Sequence, residues 1–419
     1  MMIAGPWHAA AELSERAVWP PGALTAADEA RFARYVESLS FYHGEQWPAP
    51  TRKGTRQLVF NYARALIRKS ASYVFPGPVT FSIAPGDIGS AAQAKANEAE
   101  RLLAGIVQAL DLARLDLALA VDAAILGDAA VKVTWDTTRK RPRVVAVDPA
   151  TLVVRTAADD PRAIASVTQA YGLTGSQIAA MLPDGGTGIA DLDPERGYPV
   201  VETWTDARWQ MQVAGQIVHD GPNPCGWIPY AIATNDPRPF AFWGQSDLTD
   251  LVDVCVEINQ RMTVLSRVLE LSGAPIAVLE NVDGSEGISV GPGAKWELPE
   301  GAKAYLLDLL EGGGTEVHLS YVAQLFSILH DLSETPKTAF GDSGRDLSGA
   351  ALEVEIQPLV QKVARKRRMW DAFFAERNFR LLDLLERFGG HDLGGLRQTT
   401  TLWPPVLPSD TDSAVRNAV

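Results

Sequence analysis

The sequence predicts an α+β protein, in which helices accompany a small antiparallel sheet. Three observations carry that reading. Seven segments between Ala130 and His219 alternate apolar and polar residues with a period near two, separated by turn residues. Apolar residues recur at intervals of three and four around 30–40, 60–75, 90–126, 248–269 and 319–388, the spacing of helical stripes. Breakers such as Pro76-Gly77-Pro78, Gly312-Gly313-Gly314 and Gly389-Gly390 punctuate the patterns.

Taken in order, residues 1–24 read as an irregular arm with Pro6, Pro20 and Pro21. Thr25 and Asp28 cap a helix that carries Phe32, Tyr35, Val36 and Leu39 on one face. Asn61 starts a second helix, ended by Pro76. Two Ala/Leu-rich helices follow, Ala91–Leu110 and Asp111–Leu126, with Gly127 as C-cap. The expected strands are Ala130–Trp135, Arg143–Val147, Val153–Arg155, Ala163–Tyr171, Val200–Trp204, Trp209–Val213 and Gln216–His219, interrupted by a short helix over Thr174–Leu182. Residues 25–246 form one mixed domain on this reading.

A long helix is expected over 247–273, with Leu248, Leu251, Val252, Cys255, Ile258, Met262, Leu265 and Leu269 in one stripe. Residues 274–314 are short-stranded and rich in turns. Leu319, Val322, Leu325, Phe326, Leu329 and Leu332 mark a second helix over 315–332. The segment 333–347 has Gly, Ser, Asp and Thr and no period, so it reads as a loop. Ser348 caps a third helix, 348–388, with Leu359, Val363, Trp370, Phe373, Phe374, Leu381, Leu384, Leu385 and Phe388 in its stripe. Pro358 lies inside this helix and removes a backbone donor, which predicts a kink. Residues 389–419 form a short terminal piece.

Composition limits the function. The 419 residues are 46% hydrophobic, enough for more than one core, and no run of eighteen apolar residues predicts a membrane span. The start lacks a basic segment followed by an apolar block, so no signal peptide is expected. Cys225 and Cys255 are too few for a disulfide framework, which points to synthesis in a reducing compartment. A net charge of −13 argues against a general, tight binder of nucleic-acid backbone.

No motif supports catalysis. There is no phosphate-cradling G-x-x-x-x-G-K-[ST], no H-E-x-x-H and no paired C-x-x-C, so neither a nucleotide, a metal nor any other cofactor is expected. Gly341–Gly344 lacks the glycine spacing of a nucleophile elbow, and Asp191 with Asp193 reads as a solvated turn. The densest charge is Lys362, Arg365, Lys366, Arg367 and Arg368. Its expected partners are acids at helical spacing, Glu353, Glu355, Asp371 or Glu376, or acids on a neighbouring subunit. Trp370, Phe373 and Phe374 read as core or as subunit interface.

Several ordered features resemble portal proteins of tailed bacteriophages. Tyr42, Gly44 and Gln46, then Asn61, then Tyr73, Phe75, Gly77, Pro78 and Val79 are similar to the N-terminal part of that family. The strand led by Gly127 and the strand ending in Asp148-Pro149 resemble its wing. Gly244-Gln245-Ser246-Asp247-Leu248 with Asn259 resembles the start of its first stem helix, and Leu347–Trp370 resembles its tunnel helix. The resemblance covers residues 42–388 in order.

It implies a portal-like fold: a wing over 25–246, a two-helix stem at 247–273 and 315–332, a small β-containing clip at 274–314, a tunnel loop at 333–347, a long kinked helix at 348–388, and a crown that is reduced or truncated at 389–419. It implies a structural ring of twelve subunits, not an enzyme, sited at one virion vertex after synthesis in the host cytoplasm. Double-stranded DNA would pass through the ring without sequence readout. Lys337, Thr338, Asp342, Arg345 and Asp346 would face that DNA, and Asp283, Glu286 and Trp296 would meet a clip partner. The implied partners are further copies of the chain, terminase, the major capsid and scaffolding proteins, and a head-completion adaptor. The alternatives are an enzyme of the same phage module, a nuclease or protease on a mixed fold, or another head–tail adaptor.

Overall fold

The structure, a computed structural model, describes residues 19, 22–47, 57–181, 192–273, 276–281, 300–307, 314–341 and 349–407. In chain order its elements begin with helices α1 (Ala26–His43) and α2 (Tyr62–Val74), strand β1 (Thr80–Ser82), and helices α3 (Ser90–Ala109) and α4 (Leu112–Leu126). Strands β2 (Asp128–Asp136), β3 (Arg141–Val147), β4 (Leu152–Thr156) and β5 (Ile164–Thr174) follow, then helix α5 (Gly175–Met181). Next come β6 (Gly197–Trp204), β7 (Arg208–Val213), β8 (Gln216–Pro222) and β9 (Tyr230–Thr234). The chain continues through α6 (Val252–Gly273), β10 (Ile276–Glu280), β11 (Lys303–Leu307), α7 (Gly314–Leu332), α8 (Gly349–Arg387) and β12 (Thr400–Leu402). Every strand pair among the described residues is antiparallel, so the mixed helix and antiparallel-sheet class holds. No helix of the described residues is long and apolar enough to cross a membrane.

The chain divides into two compact units. The first comprises residues 1–43, 63–249 and 334–419; the second comprises 44–62 and 250–333.

In the first unit, the Thr25 hydroxyl accepts from the Asp28 N–H while the Asp28 carboxylate accepts from the Thr25 N–H, a reciprocal cap that starts α1. Helix α4 ends at Gly127, whose φ of 98° only glycine adopts without strain. A side chain there would also strike the backbone of Gln245, 2.9 Å away, so the close approach itself requires glycine. Strands β4 to β8 form a five-stranded meander, and β3-β2-β9 a separate three-stranded sheet. Strand β9 was not expected; Tyr230–Thr234 is a short apolar run without strict alternation.

The core of this unit is built on α8. Leu359, Val363, Trp370, Phe373, Phe374, Leu381, Leu384 and Leu385 are buried against Leu103, Leu112 and Leu119 of α3 and α4 and their flanks and against Val131 and Val133 of β2. The sequence reading set α8 apart from the domain at 25–246, but the two share one core. Residues 389–407 belong to it as well. Leu393 is buried, β12 pairs with β1 (Thr80↔Leu402), and Trp403 packs on Phe75 and Phe374 and donates to Asp371. That segment packs back onto the core through a short strand rather than standing apart as a tail. Helix α8 runs unbroken through Pro358.

In the second unit, α6 and α7 pack together and β10 pairs with β11. Helix α6 starts at Val252 rather than near 247, so Leu248 and Leu251, though buried, precede it.

Candidate functional site

Three sets of residues were expected to carry function, and the structure treats them differently. In the segment 333–347, Ser333–Gly341 is described and 342–348 is not, so Asp342, Arg345 and Asp346 lie outside the described residues. The described part is not featureless. Pro336 leads into a 3₁₀ turn, Lys337–Phe340, closed by Gly341 at φ 86°. Ser333, Thr335 and Ala339 are buried, and Lys337 and Phe340 are exposed. Thr338 is half-buried, and its hydroxyl has no hydrogen-bond partner among the described residues. The Lys69 ammonium lies 5.4 Å from the Phe340 ring. The clip set, Asp283, Glu286 and Trp296, lies entirely outside the described residues. Of the two readings for Trp370, Phe373 and Phe374, the core is the one observed, at 4%, 1% and 0% exposure.

The basic run of α8 does not pair along its own helix as expected. Lys366 lies 2.8 Å from the Asp247 carboxylate and 2.5 Å from Oδ1 of Asn235, and Lys362 lies 3.6 Å from the other Asp247 oxygen. Asn235 donates to the same Asp247 carboxylate at 2.6 Å. The Asp247 N–H donates to Ala124 O at the end of α4. Burial alone raises the Asp247 carboxyl, but the Lys366 and Lys362 charges outweigh it and hold it well below the usual carboxylate range. Arg365 pairs with Glu334, and Arg367 donates to Val74 O and lies over Trp403. Only Arg368 of the five is simply an exposed cation. The run is a clasp between α8 and the segment after β9. Sequence spacing pointed to helix-internal acids because the true acid, Asp247, is distant in the chain.

The second unit brings together residues that no single stretch of sequence unites. Asn259 accepts from the Phe60 N–H at 2.8 Å and donates to Gln46 at 2.7 Å, and Gln46 donates to Asn61 at 3.0 Å. Gln46 and Asn259 are both buried, so this chain of amides ties residues 44–62 to α6. The helix pair leaves much apolar surface uncovered. Val322, Leu325 and Leu329 are buried on α7, but Val317, Leu319, Tyr321, Ile328 and Leu332 are exposed, as are Val264 and Leu269 on α6. The outer members of both predicted stripes therefore face away from the unit's own core. Val317, Tyr321, Ile328 and Leu332 recur at helical spacing on one face of α7, and an exposed apolar face of this kind marks an interaction surface.

Carboxylates with raised pKa values occur elsewhere in the first unit. Burial, with the charge of Asp148 adding to it, pushes Asp122 up to about 8. Burial pushes Asp128 up to about 6 even though the Tyr35 hydroxyl and the Gly244 N–H stabilise its charge. Asp148 also rises to about 6 through burial, opposed by the Ala150 N–H. Tyr35, Gly244 and Ala150 are structural partners, and Arg31 bonds Pro149 O and Leu152 O nearby. Among the described residues no group of three or more His, Cys, Asp or Glu is placed to hold a metal ion.

These carboxyls set a pH dependence. In the fold each keeps its proton at pH values where the unfolded chain, with carboxyls near 4, has lost it. Folding stability is therefore expected to fall as pH rises from about 4, through 6, to about 8. Denaturant melts across that range check this, and Asp122→Asn should flatten the upper part of the slope. A slope unchanged in that variant would rule Asp122 out as its source.

A scan against protein-family models and a search of curated proteins both return no match.

Proposed function

We propose that this chain is the subunit of a closed ring that conducts double-stranded DNA, in the manner of tailed-phage portals. The observation that carries the proposal is the second unit: two packed helices bearing large exposed apolar side chains, linked through a β-containing segment. A monomer leaves such a surface in water; repeated head-to-tail contacts cover it, and a ring closes when the rotation per subunit allows. The finer statements follow from the sequence resemblance: twelve copies at one virion vertex, terminase and a head-completion adaptor at the clip, capsid and scaffolding proteins at the wing.

The charge pattern supports passage rather than retention of DNA. The chain carries −13, and four of the five cations of the basic run are occupied within the fold. That run is therefore no ready counterion-displacing patch, which together with the net negative charge favours weak, sliding, salt-sensitive contact. Lys337 is exposed where such contact would occur on this reading.

An enzyme reading has one observation of its own, the raised carboxyls of Asp122, Asp128 and Asp148. Two of the three are engaged by a tyrosine or by backbone N–H groups that hold the fold, so the ring reading is preferred. Electron microscopy of the purified chain tests it. Rings with a central opening are expected; a uniform field of small single particles would contradict the proposal.

A further inference from the structure

The turn after α7 begins on a residue that suits its place poorly. Glu334 follows Leu332, the last residue of α7, by two positions and has φ 49°. Helices commonly end on a left-handed residue there, and glycine is the usual choice because it has no Cβ to clash. Gly127 serves α4 in that way. Glutamate is also the wrong charge, since it sits at the negative end of the helix dipole. A third cost lies further on. The Thr338 hydroxyl is buried with no hydrogen-bond partner among the described residues.

One interaction offsets these costs. Nη2 of Arg365, on α8, lies 2.5 Å and 2.6 Å from the two carboxylate oxygens of Glu334. Arg365 has no other acid at helical spacing, because Gln361, Lys362, Arg368 and Met369 stand three and four positions away. A glutamate in place of the expected glycine is what makes the pair possible. Strain of this kind is retained where it serves a contact. The remaining hold on the turn is small. Thr335 and Ala339 are buried, and the Lys69 ammonium lies 5.4 Å from the Phe340 ring.

The pair is open to solvent. The Arg365 side chain is 55% exposed and that of Glu334 40%. An exposed pair weakens as salt rises, because ions screen both charges. Once Arg365 lets go, nothing offsets the left-handed backbone or the misplaced charge, and Glu334 relaxes to negative φ. Thr335 cannot simply continue α7, since the residue before a proline avoids the helical region. Relaxation at Glu334 therefore redirects the chain that enters the turn.

We infer that the Glu334–Arg365 pair is a salt-operated latch, which holds the Lys337–Phe340 turn against α8 when closed and lets it lift when Arg365 is released. Both partners belong to one copy of the chain, so the latch is independent of the ring reading. It adds a conformational control to the turn that carries the exposed Lys337.

Hydrogen exchange of the intact chain tests the latch at Ala339 and Gly341, whose N–H groups donate to Pro336 O and Thr338 O. Raising sodium chloride from about 20 mM to about 500 mM should speed exchange at both roughly threefold, the scale on which an exposed pair acts. Arg365→Gln should exchange at the faster rate whatever the salt. Glu334→Gly removes the pair and the strain together, so its turn should be indifferent to salt yet exchange more slowly than in Arg365→Gln. Wild-type exchange that salt leaves unchanged would overturn the latch. So would an Arg365→Gln variant that exchanges like the wild type at low salt, which would leave Glu334 as a helix end of purely local effect.

Discussion

Asp116→Ala is expected to cost the first unit about 3–5 kcal/mol, because it strands a buried charge. The Arg377 side chain is fully buried and bonds the Asp116 carboxylate at 2.5 Å, joining α8 to α4. Its ring neighbours are apolar: the guanidinium lies 4.7 Å from the centre of the Phe374 ring. Burial raises the Asp116 carboxyl even against the attraction of Arg377, a sign that water is excluded from the pair. Removing the acid leaves a guanidinium that cannot lose its proton. Removing both members, as Asp116→Leu with Arg377→Met, should recover most of the loss, since apolar replacement of a whole buried pair is often neutral. Chemical denaturation of the two variants decides it. A single variant as stable as the wild type would show that solvent reaches the guanidinium.

Asp247→Ala should be as damaging, about 3–5 kcal/mol, for a related reason. Asp247 is the common acid of Lys362, Lys366 and Asn235. Burial lowers the Lys366 pKa, with Asp247 opposing that fall, so without Asp247 its ammonium loses its main support. Lys366 should then shed its proton closer to neutral pH. The variant should therefore regain stability as pH rises through the lowered lysine pKa, a direction opposite to that set by Asp122, Asp128 and Asp148 in the wild type. Melts at pH 6 and at pH 9 separate the two. A loss that does not shrink at the higher pH would place the cost in the lost hydrogen bonds instead.

Much of the fold was legible because local pattern and tertiary need agreed. The Thr25–Asp28 cap, the C-cap at Gly127 and the meander from Leu152 to Pro222 follow from spacing and turn chemistry alone. What spacing cannot give is a partner far along the chain. Strand β12 pairs with β1 across more than three hundred residues, and Asp247 neutralises lysines more than one hundred residues away. The two-helix unit was read as helices, yet which part of each stripe stays uncovered depends on packing. Leu319 and Leu332 keep the helical period and are exposed all the same. Gln46 and Asn259 stood out only through resemblance, and Asn61 also as a helix start; hydrogen bonds join the three.

On the ring reading, further copies of the same chain cover the exposed apolar side chains of the second unit. The native mass of the purified 45.2 kDa chain tests it most directly, measured by light scattering from nanomolar to micromolar concentration. A single closed species many times the monomer mass, near twelve copies, whose size stops growing with concentration, is expected. A species that remains at the mass of one chain throughout would contradict it.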